Sequence, residues 1–176
     1  MTSPFTTLSS RIAWACPWYN IRQDKLLLPD GRPGEYNVVQ HPGAAWVVPV
    51  TPQGEVVLLW HYRYTVDDWC WELPAGGLKP NHTPLQTAQE ELREEIGGTA
   101  ATWQEVGWFY SSNGISNEKA HIFLATGVTL GPTAHEPAEV MTLHRKPLAE
   151  ALHMARTAQI NDGPSALALI LAEPYL

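Results

Sequence analysis

Residues 72–98 read ELPAGGLKPNHTPLQTAQEELREEIGG, and this stretch decides the fold. It opens as the end of a strand, passes through a glycine-bearing loop and continues as an acidic helix. Leu85, Ala88, Leu92 and Ile96 recur at helical spacing and predict one apolar stripe. Thr83 stands where an N-cap belongs, Pro84 suits the first helical position, and Gly97-Gly98 stops the run. The helix is therefore expected over 84–96. Glu91 and Glu95 are four residues apart and stack beside the stripe, with Glu94 on the same side but further from the core. Three carboxylates are thus expected to converge near the loop 75–77.

Like charges at this spacing destabilise an isolated helix by about 0.2–0.5 kcal/mol per pair. A hard divalent cation removes that repulsion, and Mg²⁺ favours carboxylates together with substrate phosphates. A solvated acidic face is the plainer reading of such a helix. The Gly-Gly loop and the Leu73-Pro74-Ala75 strand end ahead of it favour a built site.

The chain around this stretch has 176 residues, 44% apolar and 16% charged, a composition that folds as one globular domain. A net charge of −7 argues against a nucleic-acid partner. Cys16 and Cys70 have neither metal-ligand spacing nor the look of a disulfide framework. The first residues show no charged segment followed by an apolar run, and no stretch approaches 18 apolar residues. The expectation is a cytoplasmic protein with no signal peptide and no membrane partner.

Strands are expected at 11–15 and 18–28, then 35–40 after the Asp30-Gly31 hairpin signal, with 1–10 a loose tail. Val-rich strands follow at 44–50 and 55–64 about a Pro52-Gln53-Gly54 turn, with a short one at 68–73. Further strands are expected at 102–110, 120–126 and 139–144. Helices are expected at 147–155 and 163–171, the second nearly all apolar and so buried. Many strands with few helices predict an α/β layered fold with a mixed sheet. Residues 11–42 form a small antiparallel β subdomain in this reading, ahead of a main domain over 43–176.

From Gly76 onward the stretch resembles the signature of the Nudix hydrolases, which runs Gly, five residues, Glu, seven residues, then Arg-Glu-apolar-x-Glu-Glu-x-Gly-apolar. Gly76, Glu91, Leu92, Glu94, Glu95 and Gly97 match it. His82 replaces the first Glu, Glu90 the Arg, and Gly98 the last apolar residue. The likeness covers most of the chain and is to the ADP-ribose pyrophosphatase branch. LLLPDGR, QHPGAAWVVPV, WHYRY, ELPAG, YSSNGISNEKAHIFLA and EPAEVMTLHRKPLAEALHM carry it. Where that branch has Ser-Pro-Gly after the signature, this chain has Asn113-Gly114, which leaves the leaving sugar open.

The resemblance implies a Nudix-type α/β/α sandwich. It implies Mg²⁺-dependent cleavage, with Mn²⁺ as an alternative, of the diphosphate of ADP-ribose or a related nucleoside diphosphate sugar. The products are a nucleoside monophosphate and a sugar phosphate. In it, Glu91 and Glu95 are the principal metal carboxylates, Glu94 supports them in metal binding and catalysis, and the Ala75 carbonyl is a backbone ligand. Glu136 is the loop acid acting as base, with Glu139 as its alternative. Trp18 and Tyr36 hold the base, Arg63 contacts diphosphate or ribose, Glu72 lies on the substrate side, and Gly76 and Gly114 lie in substrate-contacting loops. The same resemblance implies a homodimer through the N-terminal strands.

Read from the residues alone, Trp18 and Tyr36 serve equally well as core, Arg63 as a surface ion pair, and Glu136 and Glu139 as solvated loop acids. His82 removes one supporting acid. Glu90 adds a negative charge where the family has a cation, and it is expected to point into solvent with Arg93 compensating in part. Slower turnover or a greater metal requirement follows, which Glu90→Arg would not worsen. The competing reading is a degenerate Nudix module that binds a nucleotide without efficient hydrolysis.

Overall fold

The computed structural model describes residues 3–135 and 137–176, which divide into two compact units. One comprises Met1–Gly43 with Tyr110–Lys119, the other Ala44–Phe109 with Ala120–Leu176.

In the first unit β1 (Thr6–Ala15), β2 (Asn20–Leu27) and β3 (Pro33–Gln40) form an antiparallel sheet in that order. The loose tail expected over 1–10 is corrected here. Thr6 to Ser10 pair with Leu27 back to Asp24, through a register shift between Thr7 and Ser9. This half of β1 buries nothing, so ladder hydrogen bonds and the β-branched Thr6 and Thr7 hold it rather than a core. Gly31, at φ 83°, supplies the left-handed step of the β2–β3 turn.

The second unit is built on a mixed seven-stranded sheet. Its main path is β10 (Met141–Pro147), β5 (Glu55–Arg63), β4 (Ala44–Val50), β9 (Lys119–Thr126) and β8 (Thr102–Tyr110). β4 runs parallel to β9, and β5 antiparallel to both β10 and β6 (Asp68–Glu72). Ala75–Gly77, expected as loop, is a short strand, β7, pairing antiparallel with Ala44–Trp46 of β4.

Strand alternation sorts the core into two layers. Val48, Val50, Val56, Leu58, Ile122 and Leu124 face the helices α2 (Leu148–Arg156) and α3 (Gly163–Ala172). Val47, Val57, Leu59, Phe123 and Ala125 face α1 (Pro84–Ile96). The result is the α/β layered fold expected from the strand and helix pattern, in the α/β/α sandwich form that the resemblance implies. Two packing expectations change. Leu85 is exposed and lines a cavity of about 320 Å³ with Trp103 and Phe123, so the buried stripe of α1 is Ala88, Leu92 and Ile96. α3 buries Ser165, Ala168, Leu169 and Ala172, one face at helical spacing, and leaves Leu167 exposed on another. Among the described residues no helix is long and apolar enough to cross a membrane.

Candidate active site

α1 is held at both ends. Thr83 accepts from the Gln86 amide while the Gln86 side chain accepts from the Thr83 amide, a closed capping box. At the far end Gly97 is left-handed at φ 62°, and the Gly98 amide donates to the Leu92 carbonyl at 2.9 Å. A Cβ at Gly97 would meet the Gly131 carbonyl oxygen at 2.1 Å, so this stop admits no side chain. Between the two ends, the buried stripe fixes the rotation of the helix.

That rotation aims Glu91 and Glu95, both buried, at the strand end β7. The Ala75 amide donates to Glu95 Oε2 at 3.0 Å. A Cβ at Gly76 would lie 2.1 Å from Glu91 Oε1, so the glycine leaves the space that the carboxylate fills. Burial, then the neighbouring Glu94, Glu139 and Glu90, push Glu91 up to about 7, with Lys79 pulling the other way. Burial and the Glu91 charge hold Glu95 well above the usual carboxylate range, against the Ala75 amide and Arg63. The protein partners of these two desolvated carboxyls do not fully offset the cost of ionising them, so each holds its proton until further positive charge arrives. Hard oxygen donors of this kind suit a Mg²⁺-class cation.

Glu94 behaves differently, which corrects the expected convergence of three acids. Its carboxylate takes Arg93 at 2.8 Å and lies 3.7 Å from Lys79 Nζ. Among the described residues no three His, Cys, Asp or Glu side chains come together closely enough to hold an ion by themselves. The expectations for Glu90 also change. It is not simply solvated, and Arg93 is not the cation beside it. Lys79 Nζ lies 2.9 Å from Glu90 Oε2, and His82 Nδ1 lies 3.5 Å from the same atom. Lys79 holds Glu90 below its usual range. Sequence reasoning missed Lys79, eleven residues before Glu90. The available signal was Pro80-Asn81, a turn pair that brings Lys79 and His82 together.

Arg63 and Glu72, expected as separate substrate contacts, are partners. Arg63 Nε and Nη2 reach the two Glu72 oxygens at 2.8 and 2.5 Å, and His61 Nδ1 stands 3.3 Å from Glu72 Oε2. Burial raises Glu72, but His61 and Arg63 outweigh it and hold the carboxyl below its usual range.

The loop after Gly131 docks on the C-terminal turn of α1. The Ala134 amide donates to the Glu94 carbonyl at 2.8 Å, and His135 Nε2 lies 2.6 Å from the Glu95 carbonyl. Glu139, further along, is close enough for its charge to raise both Glu91 and Glu95. Glu136 lies outside the described residues.

Trp18, Tyr36 and Gly114 belong to the first unit. Trp18, 73% exposed, sits in the β1–β2 connection, and Tyr36, 48% exposed, lies on β3 with Phe5 against its edge. Neither is core. Gly114 is in the turn after β8, with open space around its Cα.

The mixed sheet sandwiched between helix layers is the Nudix-type α/β/α architecture that the resemblance implies. Residues 40–166 match the NUDIX domain model, and residues 5–39 match the model described as nucleoside diphosphate sugar hydrolase N-terminal domain. The chain therefore belongs to the Nudix family and is a Nudix hydrolase. It is 35% identical over 159 residues to the ADP-ribose pyrophosphatase of Mycobacterium tuberculosis, a match covering 89% of this chain and 77% of that protein. It is 31% identical over 144 residues to the ADP-ribose pyrophosphatase of Bacillus subtilis, covering 81% and 78%. The crystal structure of an ADP compounds hydrolase shares the fold with a TM-score of 0.85 at 18% identity, across 100% of this chain and 96% of that one.

Proposed function

We propose that this protein hydrolyses the diphosphate of ADP-ribose, or a related nucleoside diphosphate sugar, with Mg²⁺ as its metal and Mn²⁺ as a substitute. The observation that carries the reading is the pair of buried carboxylates, Glu91 and Glu95, set against Ala75 and Gly76. Glu91 and Glu95 would hold the ion with the Ala75 carbonyl, and Glu94 would join from its ion pairs. When bound, the ion supplies positive charge against the diphosphate oxygens and acidifies water.

The remaining roles belong to the chain. Glu136, or Glu139 as its alternative, takes a proton from the attacking water. Water adds to one phosphorus, the bridging P–O bond breaks, and a nucleoside monophosphate and a sugar phosphate leave. The Arg63–Glu72 pair borders the buried acids, and Arg63 turns its charge to the diphosphate or ribose. Gly114, with open space around it, leaves backbone open to substrate, and Gly76 contributes its own segment beside the Glu91 carboxylate. Trp18 and Tyr36, exposed aromatics, offer π-faces to a planar base.

The relatives' names, ADP-ribose pyrophosphatases, support this choice of substrate. β1 is an edge strand with Leu8, Ile12 and Trp14 exposed, which supports pairing with a second copy. The test is a panel of nucleoside diphosphate sugars, dinucleoside polyphosphates and nucleoside triphosphates with and without Mg²⁺. ADP-ribose should yield AMP and ribose 5-phosphate only with metal. Preference for triphosphates would overturn the substrate class.

A further inference from the structure

Two departures from the family signature, His82 and Glu90, meet each other in space. Lys79-Pro80-Asn81-His82 is a tight turn, closed by the His82 amide donating to the Lys79 carbonyl at 3.1 Å. Pro80 presets the second position, and Asn81, at φ 67°, supplies the left-handed third. Such a turn sets its first and fourth side chains close together, and both converge on Glu90 Oε2. The signature's pattern is an acid in the loop and a cation on the helix. Here the loop carries the cations and the helix the acid.

We propose that Lys79 is a positioning residue whose pair with Glu90, backed by His82, clasps the loop to α1 with the charges reversed from the signature, which has its acid at position 82 and its cation at position 90. The loop 75–83 is then pinned to α1 at both ends. The Ala75 amide and Gly76 rest on Glu95 and Glu91 at its start, and Lys79 and His82 rest on Glu90 near its end. Lys79 also stands 3.7 Å from Glu94, so the extra acid on α1 arrives with its own counter-ion. A partly exposed ion pair of this kind contributes little to stability by itself. The role assigned here is geometric and rests on the reading of Glu91 and Glu95 as metal ligands.

A charge-swap cycle tests it: Lys79→Glu, Glu90→Lys, and the double variant, with Lys79→Met as a milder fourth. Mn²⁺ binding to the substrate-free protein is followed by electron paramagnetic resonance, thermal unfolding is followed alongside it, and Mg²⁺ half-saturation is measured in hydrolysis. A pure field effect makes Lys79→Glu and Lys79→Met bind Mn²⁺ more tightly, because a cation beside the acids is gone. The clasp predicts the reverse. Each single variant weakens Mn²⁺ binding about fivefold or more, and the double variant recovers most of that loss, a non-additivity typical of residues in contact. Tighter binding by Lys79→Met, or additive effects in the double variant, overturns the proposal. Metal binding and unfolding need no substrate, so a restored clasp in an enzyme inert toward every nucleotide sugar would sink the activity reading and leave this one standing.

Discussion

Glu91 is the residue on which metal-free behaviour turns. Its carboxyl titrates at about 7 in the fold against a usual value of 4.5. The folded state therefore binds this proton more tightly than the unfolded chain does. The stability that Glu91 contributes is full below about 4.5 and is lost as pH rises through about 7, a swing of about 3 kcal/mol. Glu95 shifts in the same direction. Urea unfolding in EDTA should show stability falling from pH 5 to pH 8, and Glu91→Gln should flatten that fall. A wild-type profile that rises over the same interval would contradict the shift. At Gly76 a methyl group displaces the far end of Glu91 rather than backbone. Gly76→Ala should keep the melting temperature within a few degrees while weakening Mn²⁺ binding about tenfold or more, as changes beside metal ligands do.

At the scale of elements, α1 is an address for its acids, and its packing and caps can be tested apart from the chemistry. Leu92→Ala removes a buried side chain from the layer shared with Val47, Val57 and Phe123, and calorimetry should record a loss of about 2–5 kcal/mol. Thr83→Ala opens the capping box and should cost about 1 kcal/mol. Much of this helix was legible beforehand. Thr83, Pro84, the apolar spacing and Gly97 are local signals, and the observed bounds agree with them. What escaped is non-local. Glu90 facing Lys79 depends on the turn at Pro80-Asn81, and Arg63 forking onto Glu72 depends on β5 pairing with β6. Neither contact has a periodic signature. The inverted pair also reverses one expectation. Glu90→Arg now sets a guanidinium against Lys79 and His82, so it should lower turnover and raise the Mg²⁺ requirement, checked by metal titration of initial rates.

Over the whole molecule, two compact units divide the work proposed for the chain. The sandwich bears the acids, and the three-stranded unit bears exposed aromatics and the edge strand β1. Composition alone sees only one globular chain; the Asp30-Gly31 hairpin signal marks the three-stranded unit from residue 11 onward, but residues 6–10 of β1 bury nothing and carry no such signal. Base stacking on an aromatic ring is typically worth about 1–3 kcal/mol, so Trp18→Ala should raise KM for ADP-ribose by about tenfold with kcat nearly unchanged. A fall in kcat at constant KM would remove Trp18 from the binding role.

Glu91 and Glu95 are proposed to act together in metal-dependent cleavage of a diphosphate, and initial rates with ADP-ribose across a Mg²⁺ series, for the native protein beside Glu95→Gln, bear on that proposal without intermediary. The native protein should release AMP and ribose 5-phosphate in proportion to metal saturation, and Glu95→Gln should fall by about 100-fold or more, as expected when electrostatic stabilisation at the reacting phosphate is lost. Near-native turnover in Glu95→Gln, or product release by the native protein undiminished in EDTA, would contradict it.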